Sequence, residues 1–152
     1  MTRPLKTPWR TSGRKCYLCG PENPEGLKLK FYRQDENTVT AEVYPPQFWC
    51  GWDGLMHGGL QCALLDEVTA WALTGLRDRR YFLTTSLAVK YRRPVRLDQK
   101  LRLVGCIVQE SERGSEVLGQ IQNEAGLVLS EATAKVLHLD REKFRRLVAA
   151  AP

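Results

Sequence analysis

The chain of 152 residues contains no apolar run long enough to span a bilayer, so no membrane partner is expected. Its first fifteen residues, MTRPLKTPWRTSGRK, are basic but lack an apolar core. No secretory signal is expected there, and the cytoplasm is the expected compartment. There is no internal repeat, no low-complexity segment and no recognised nucleic-acid-binding motif, so a nucleic-acid partner is not expected. The chain also lacks a second Cys-x-x-Cys beside Cys16 and Cys19. A tetrahedral zinc site needs about four ligands. Only His57, His138 and Cys50 could add to that pair, so a structural loop is expected there and no metal. The five cysteines are an odd number and are expected to be reduced. Cys62 and Cys106 read as small core residues.

What is present describes one globular domain. Hydrophobic residues make up 43% and charged residues 26%, enough for a packed core under a charged surface. The net charge of +6 favours anionic partners. Residues 1–15 read as a basic flexible arm, and residues 16–152 as one domain. Leu27, Leu29 and Phe31 alternate with Lys28, Lys30 and Tyr32, the pattern of a half-buried strand. Asp35-Glu36-Asn37 turns the chain into a second strand, Thr38 to Tyr44. Residues 46–56 form a loop carrying Phe48, Trp49, Trp52, Leu55 and Met56, which could line a pocket or pack.

From Leu60 to Leu73 the sequence reads LQCALLDEVTAWAL, and ten of these fourteen residues are apolar on every side of a helix. Such a helix is buried, and its two adjacent carboxylates, Asp66 and Glu67, need partners or protons. The helix is expected over about Gly58 to Leu76. Four strands follow: Tyr81 to Val95, Leu101 to Gln109, Glu116 to Asn123 and Val128 to Leu137. Asp140 caps a short C-terminal helix. Two strands, a long helix and a four-strand meander predict an α+β fold, an antiparallel sheet wrapped around one central helix.

Three segments carry a family resemblance: CYLCGPENPEGLKLKF at Cys16 to Phe31, GWDGLMHGGLQCALLDE at Gly51 to Glu67, and TTSLAVKYRRPV at Thr84 to Val95. In that order they resemble the hotdog fold, in the phenylacetyl-CoA thioesterase-like branch of the acyl-CoA thioesterases. The resemblance spans roughly residues 16–138. It implies hydrolysis of an acyl-CoA substrate without a cofactor. It also implies a homo-oligomer, a dimer or a dimer of dimers, with active sites between subunits.

Thioester hydrolysis needs a directed nucleophile, donors for the developing oxyanion and a dry acyl pocket. Gly58 and Gly59 open the helix, where the first amides have no partner within it and lie at the positive end of the dipole. The alternative for this pair is a tight turn. The resemblance makes Gly58 the amide that polarises the carbonyl, and His57 a residue that shapes the loop. Periodicity does not choose between Asp66 and Glu67. The family places its acid nine residues after the histidine, which is Asp66, as nucleophile or general base. Glu67 stays among the candidate substrate-binding residues, its plainer role an ion pair with an arginine. Thr84 matches a hydroxyl position that orients the acid or water, with Ser86 as its neighbour and alternative. Arg92 and Arg93 match basic residues that hold coenzyme A phosphates, although a solvated strand end explains them equally. Relatives often carry Asn or Gln six residues before the histidine. Here that position is Gly51, and the departure keeps a second reading open, a non-catalytic acyl-CoA-binding or sensing module.

Overall fold

The computed structural model describes residues 4–6 and 13–151. The N-terminal strand is shorter than its alternation predicts: β1 spans only Phe31–Arg33. Lys28 sits at φ 53°, which breaks the extended run, while Leu29 and Phe31 still point into the core. Leu27 and Leu29 pair instead with the preceding loop, their amides donating to the carbonyls of Tyr17 and Leu18. Of the basic arm, residues 4–6 lie along β1, with the Leu5 amide donating to the Phe31 carbonyl at 2.7 Å. The rest of that arm falls outside the described residues.

The second strand, β2 (Thr38–Val43), follows the expected turn. The aromatic loop holds more structure than expected: a 3-10 turn, Gln47–Trp49, and a small hairpin of β3 (Cys50–Trp52) and β4 (Leu55–Met56). The central helix α1 runs over Gly58–Arg77. Then come β5 (Phe82–Tyr91), β6 (Leu101–Glu110), β7 (Gly114–Gln122) and β8 (Val128–His138). The C-terminal helix α2 (Arg141–Ala149) is capped by Asp140, whose carboxylate accepts from the Lys143 amide. Among the described residues, no helix is long and apolar enough to cross a membrane.

The main sheet is antiparallel throughout, in the order β1-β2-β6-β7-β8-β5. It curves around α1, whose Leu64, Leu65, Val68, Trp71, Ala72 and Leu73 are buried against it. The inward positions of the meander supply the other wall, including Leu101, Leu103, Val117, Ile121, Ala132, Ala134 and Val136. Phe31 stacks on Trp71 with ring centroids 4.7 Å apart, closing the core under β1. Cys106 departs from its expected place: it alternates with the buried Gly105 and Ile107 and so lies half-buried on the outer face of β6.

One cross-strand pair sets how close the helix comes. Gly105 of β6 lies opposite Gly119 of β7. A Cβ on Gly105 would come within 2.3 Å of the Val68 carbonyl oxygen, and one on Gly119 within 2.9 Å of Thr69 Cγ2. Only a sheet bare at these two points lets α1 lie flush. Gly105→Ala is expected to destabilise the fold by about 1–3 kcal/mol through overpacking. Thermal unfolding checks it, at roughly 2–4 °C per kcal/mol, and an unchanged Tm would contradict the packing described.

Candidate active site

The start of α1 is built by His57, an extended residue (φ −60°, ψ 134°) that caps the helix. Its Nδ1 accepts from the Gly59 amide at 2.9 Å, so the unprotonated nitrogen of the ring faces the helix. Its carbonyl accepts from the amides of Leu60 and Gln61. Gly59, expected as a second oxyanion donor, is therefore engaged within the chain. Gly58 carries the one first-turn amide without a hydrogen-bond partner among the described residues.

A residue not singled out from the sequence completes this end. The Tyr91 hydroxyl, at the far end of β5, donates to the Gly58 carbonyl at 3.0 Å. The Cys62 thiol lies 3.0 Å from the same hydroxyl. Since the phenolic proton is already committed, the thiol is the donor in that contact. A Cβ at Gly58 would stand 3.1 Å from the Tyr91 oxygen, so the glycine also leaves room for this strap. The signal for Tyr91 was its place in the TTSLAVKYRRPV segment.

Asp66 lies two turns farther along α1, with Cys62 between it and Gly58. The Thr84 hydroxyl of β5 donates to Asp66 Oδ1 at 2.9 Å. One carboxylate oxygen is thus fixed, and the other has no hydrogen-bond partner among the described residues. Thr84 faces the helix because it sits opposite the inward Val136 of β8. A bulge between Thr84 and Ser86 then reverses the strand's parity. It places Ser86 opposite the exposed Lys135 on the outer face, away from Asp66. Alternation alone puts Thr84 and Ser86 on one side, so the bulge separates the two candidates.

Glu67, about 100° around the helix from Asp66, is not brought to this site. Its partners are Trp71, whose Nε1–H donates to Oε1 at 3.0 Å, and Cys16, whose Sγ lies 4.0 Å from Oε2, rather than an arginine. Burial pushes the Glu67 carboxyl above the usual carboxylate range. Burial, and then the Glu67 charge, push the Cys19 thiol up as well. Arg92 pairs with Glu131 and Arg93 donates to the Val128 carbonyl at 3.2 Å, both exposed just beyond the end of β5. At Gly51, a Cβ would meet His57 Cα at 3.2 Å and its ring Cδ2 at 3.3 Å. The imidazole lies where a longer side chain would begin. In the aromatic loop Trp49 and Met56 join the core, whereas Phe48 and Trp52 are 79% and 81% exposed.

A free amide at the positive end of a helix stabilises a developing oxyanion. A carboxylate held by one hydrogen bond can direct attack. Both lie on one helix, eight residues apart, which sets their backbones about 12 Å apart along the axis at 1.5 Å per residue.

Residues 53–130, just over half of the chain, match the family model described as thioesterase superfamily. The comparison with curated proteins finds no match. A crystal structure of a thioesterase superfamily protein aligns over 90% of this chain and 68% of its own, at 24% identity and TM-score 0.75. The PaaI protein of the E. coli phenylacetic acid degradation operon aligns over 75% of this chain and 81% of its own (14% identity, TM-score 0.67). A hypothetical thioesterase protein from Streptococcus pneumoniae, solved with coenzyme A, aligns over 73% and 85% (18% identity, TM-score 0.66). At these identities the solved structures establish the hotdog fold.

The cap can be tested separately. His57→Ala removes the acceptor for Gly59 and is expected to cost about 0.5–2 kcal/mol, the usual range for losing an N-cap side chain. An unchanged denaturation midpoint would contradict the capping role.

Proposed function

Since the chain belongs to the thioesterase superfamily, we propose that it hydrolyses acyl-CoA thioesters to free acid and coenzyme A, at a site completed by a second copy of the chain. The observation that carries this reading is the Thr84–Asp66 hydrogen bond on a helix whose first amide is free. Gly58 N–H receives the carbonyl oxygen and, with the helix dipole, stabilises the charge that develops on it. Asp66 directs attack at the carbonyl carbon, by taking a proton from water or by attacking it directly. Thr84 holds the carboxylate in place, and Tyr91 holds the Gly58 turn. In the first route the C–S bond then breaks, the free acid forms and the proton taken from water passes to the sulfur. In the second, the C–S bond breaks to leave an acyl anhydride on Asp66, which water hydrolyses to the free acid while its proton goes to the sulfur. Coenzyme A leaves as the thiol in both.

Helix geometry supports the second copy. One thioester carbonyl cannot be within about 3 Å of both Gly58 N and Asp66 when the helix itself separates them by about 12 Å. The Gly58 turn of one chain facing Asp66 of another resolves this. The free edge of β5, with Leu83 and Tyr91 exposed along it, is a surface for such a partner. The coenzyme A held by the Streptococcus relative supports that carrier here, as does the net positive charge. Arg93 is the better placed of the two arginines to meet a phosphate, because Arg92 is already paired with Glu131. Five free thiols fit a reducing cytoplasm.

A screen of short, long and aromatic acyl-CoAs with thiol detection tests the reaction. The chain is expected to release coenzyme A from at least one class. Asp66→Asn is expected to lower kcat by about 10²–10⁴-fold, the span of a lost acid–base group, with its unfolding midpoint retained. Tight binding without release across the panel would instead favour the non-catalytic module. Light scattering should report a mass of at least twice 17.3 kDa, and a hydrolytically active monomer would contradict the shared site.

A further inference from the structure

The Cys16–Cys19 loop and Glu67 form a cluster that thioester chemistry does not use. The two Sγ atoms and a Glu67 carboxylate oxygen all lie within 4.8 Å of one another, with Cys19 buried and the other two half-buried. We propose that Cys16, Cys19 and Glu67 bind a zinc-class divalent metal ion, which clasps the loop before β1 to the central helix.

The loop is shaped for its two sulfurs. The Cys16 amide donates to the Gly13 carbonyl at 3.0 Å, and the Gly20 amide to the Cys16 carbonyl at 2.9 Å. The chain folds back so tightly that a Cβ on Gly20 would come within 2.4 Å of the Cys16 nitrogen and 2.6 Å of its oxygen. Asn23 fastens the other side, donating to the Lys15 carbonyl at 3.1 Å. The third ligand comes from α1, and its orientation is already set. Trp71 occupies Glu67 Oε1 through a 3.0 Å hydrogen bond, and Oε2 turns toward Cys16. A hydrogen bond on one oxygen of a ligating carboxylate is a typical outer partner of a metal site. Two thiolates select zinc-like ions over magnesium or calcium. With Zn–S near 2.3 Å and Zn–O near 2.0–2.2 Å, closing the cluster around an ion takes a movement of about 1 Å. Three protein ligands leave one position for water. The site faces away from Asp66 on the helix, so its role is to anchor the loop, and its test does not depend on hydrolysis.

The test uses the full chain. After expression with zinc supplied, elemental analysis is expected to find about one zinc per chain, the occupancy of a single mononuclear site. Chelation is expected to lower Tm. Cobalt(II) added to the metal-free protein is expected to produce thiolate-to-cobalt charge-transfer absorption. Cys16→Ser and Cys19→Ser should abolish stoichiometric metal, and Cys106→Ser should leave it unchanged. Glu67→Gln should keep a cobalt signal but weaken affinity by at least the ~10-fold that losing even an outer partner costs. If the cysteine variants do not fold, cobalt titration of the wild type and Glu67→Gln decides. A wild-type chain without stoichiometric zinc and without the cobalt band would overturn the proposal. So would a Glu67→Gln variant that binds as tightly as the wild type.

Discussion

Eight residues of helix separate the free amide of Gly58 from the carboxylate of Asp66, and the fold allows neither to move toward the other. Helix α1 lies flush on the sheet where Gly105 and Gly119 are bare, with the Val68 carbonyl in the space a Cβ would need. Its first turn is held by the His57 cap and the Tyr91 hydroxyl, and Asp66 is held by Thr84. Both holding side chains, Thr84 and Tyr91, come from β5, the edge strand. The two groups proposed to act in hydrolysis are therefore set along one exposed margin, their backbones about 12 Å apart along the helix. The proposed site made from two copies rests on that rigidity.

The same margin has reasons of its own to be covered. An uncovered edge strand presents unpaired backbone groups to any neighbouring chain. Near the start of α1 the surface also exposes aromatic residues, Phe48, Trp52 and Tyr91. Pairing two copies along β5 would cover these groups while bringing each Gly58 turn toward the other chain's Asp66. Stability and proposed catalysis would then depend on one contact.

Much of this was legible in the sequence, for physical reasons. The long helix announced itself because apolar residues on every side leave it nowhere to lie but inside a sheet. Asp140 announced the last helix because a side-chain acceptor before a helical run caps it. Thr84 and Asp66 were placed by family resemblance, and the geometry brings them together. Ser86 was misplaced because a bulge is invisible to alternation, and a single extra residue sends everything beyond it to the opposite face. Glu67 was expected to meet an arginine, yet it meets a cysteine 51 residues earlier. Such long-range pairings leave no local pattern. Tyr91 escaped notice and Cys62 was read as a core residue, although it is only half-buried, for a similar reason, since each matters only through the other and through the Gly58 turn.

The proposal that one active site needs two chains is tested most directly by co-expressing two inactive variants carrying different tags. One is Asp66→Asn. The other is Gly58→Pro, which deletes the amide proton at the first helical position, where the helix backbone accepts proline. Its Cβ crowds the Tyr91 hydroxyl at 3.1 Å, so the variant is used once its unfolding midpoint shows that it folds. Random pairing makes half the dimers mixed, each with one intact site, so about a quarter of wild-type activity should return for a two-fold symmetric pair. Purified mixed dimers that remain as inactive as either parent would contradict the shared site.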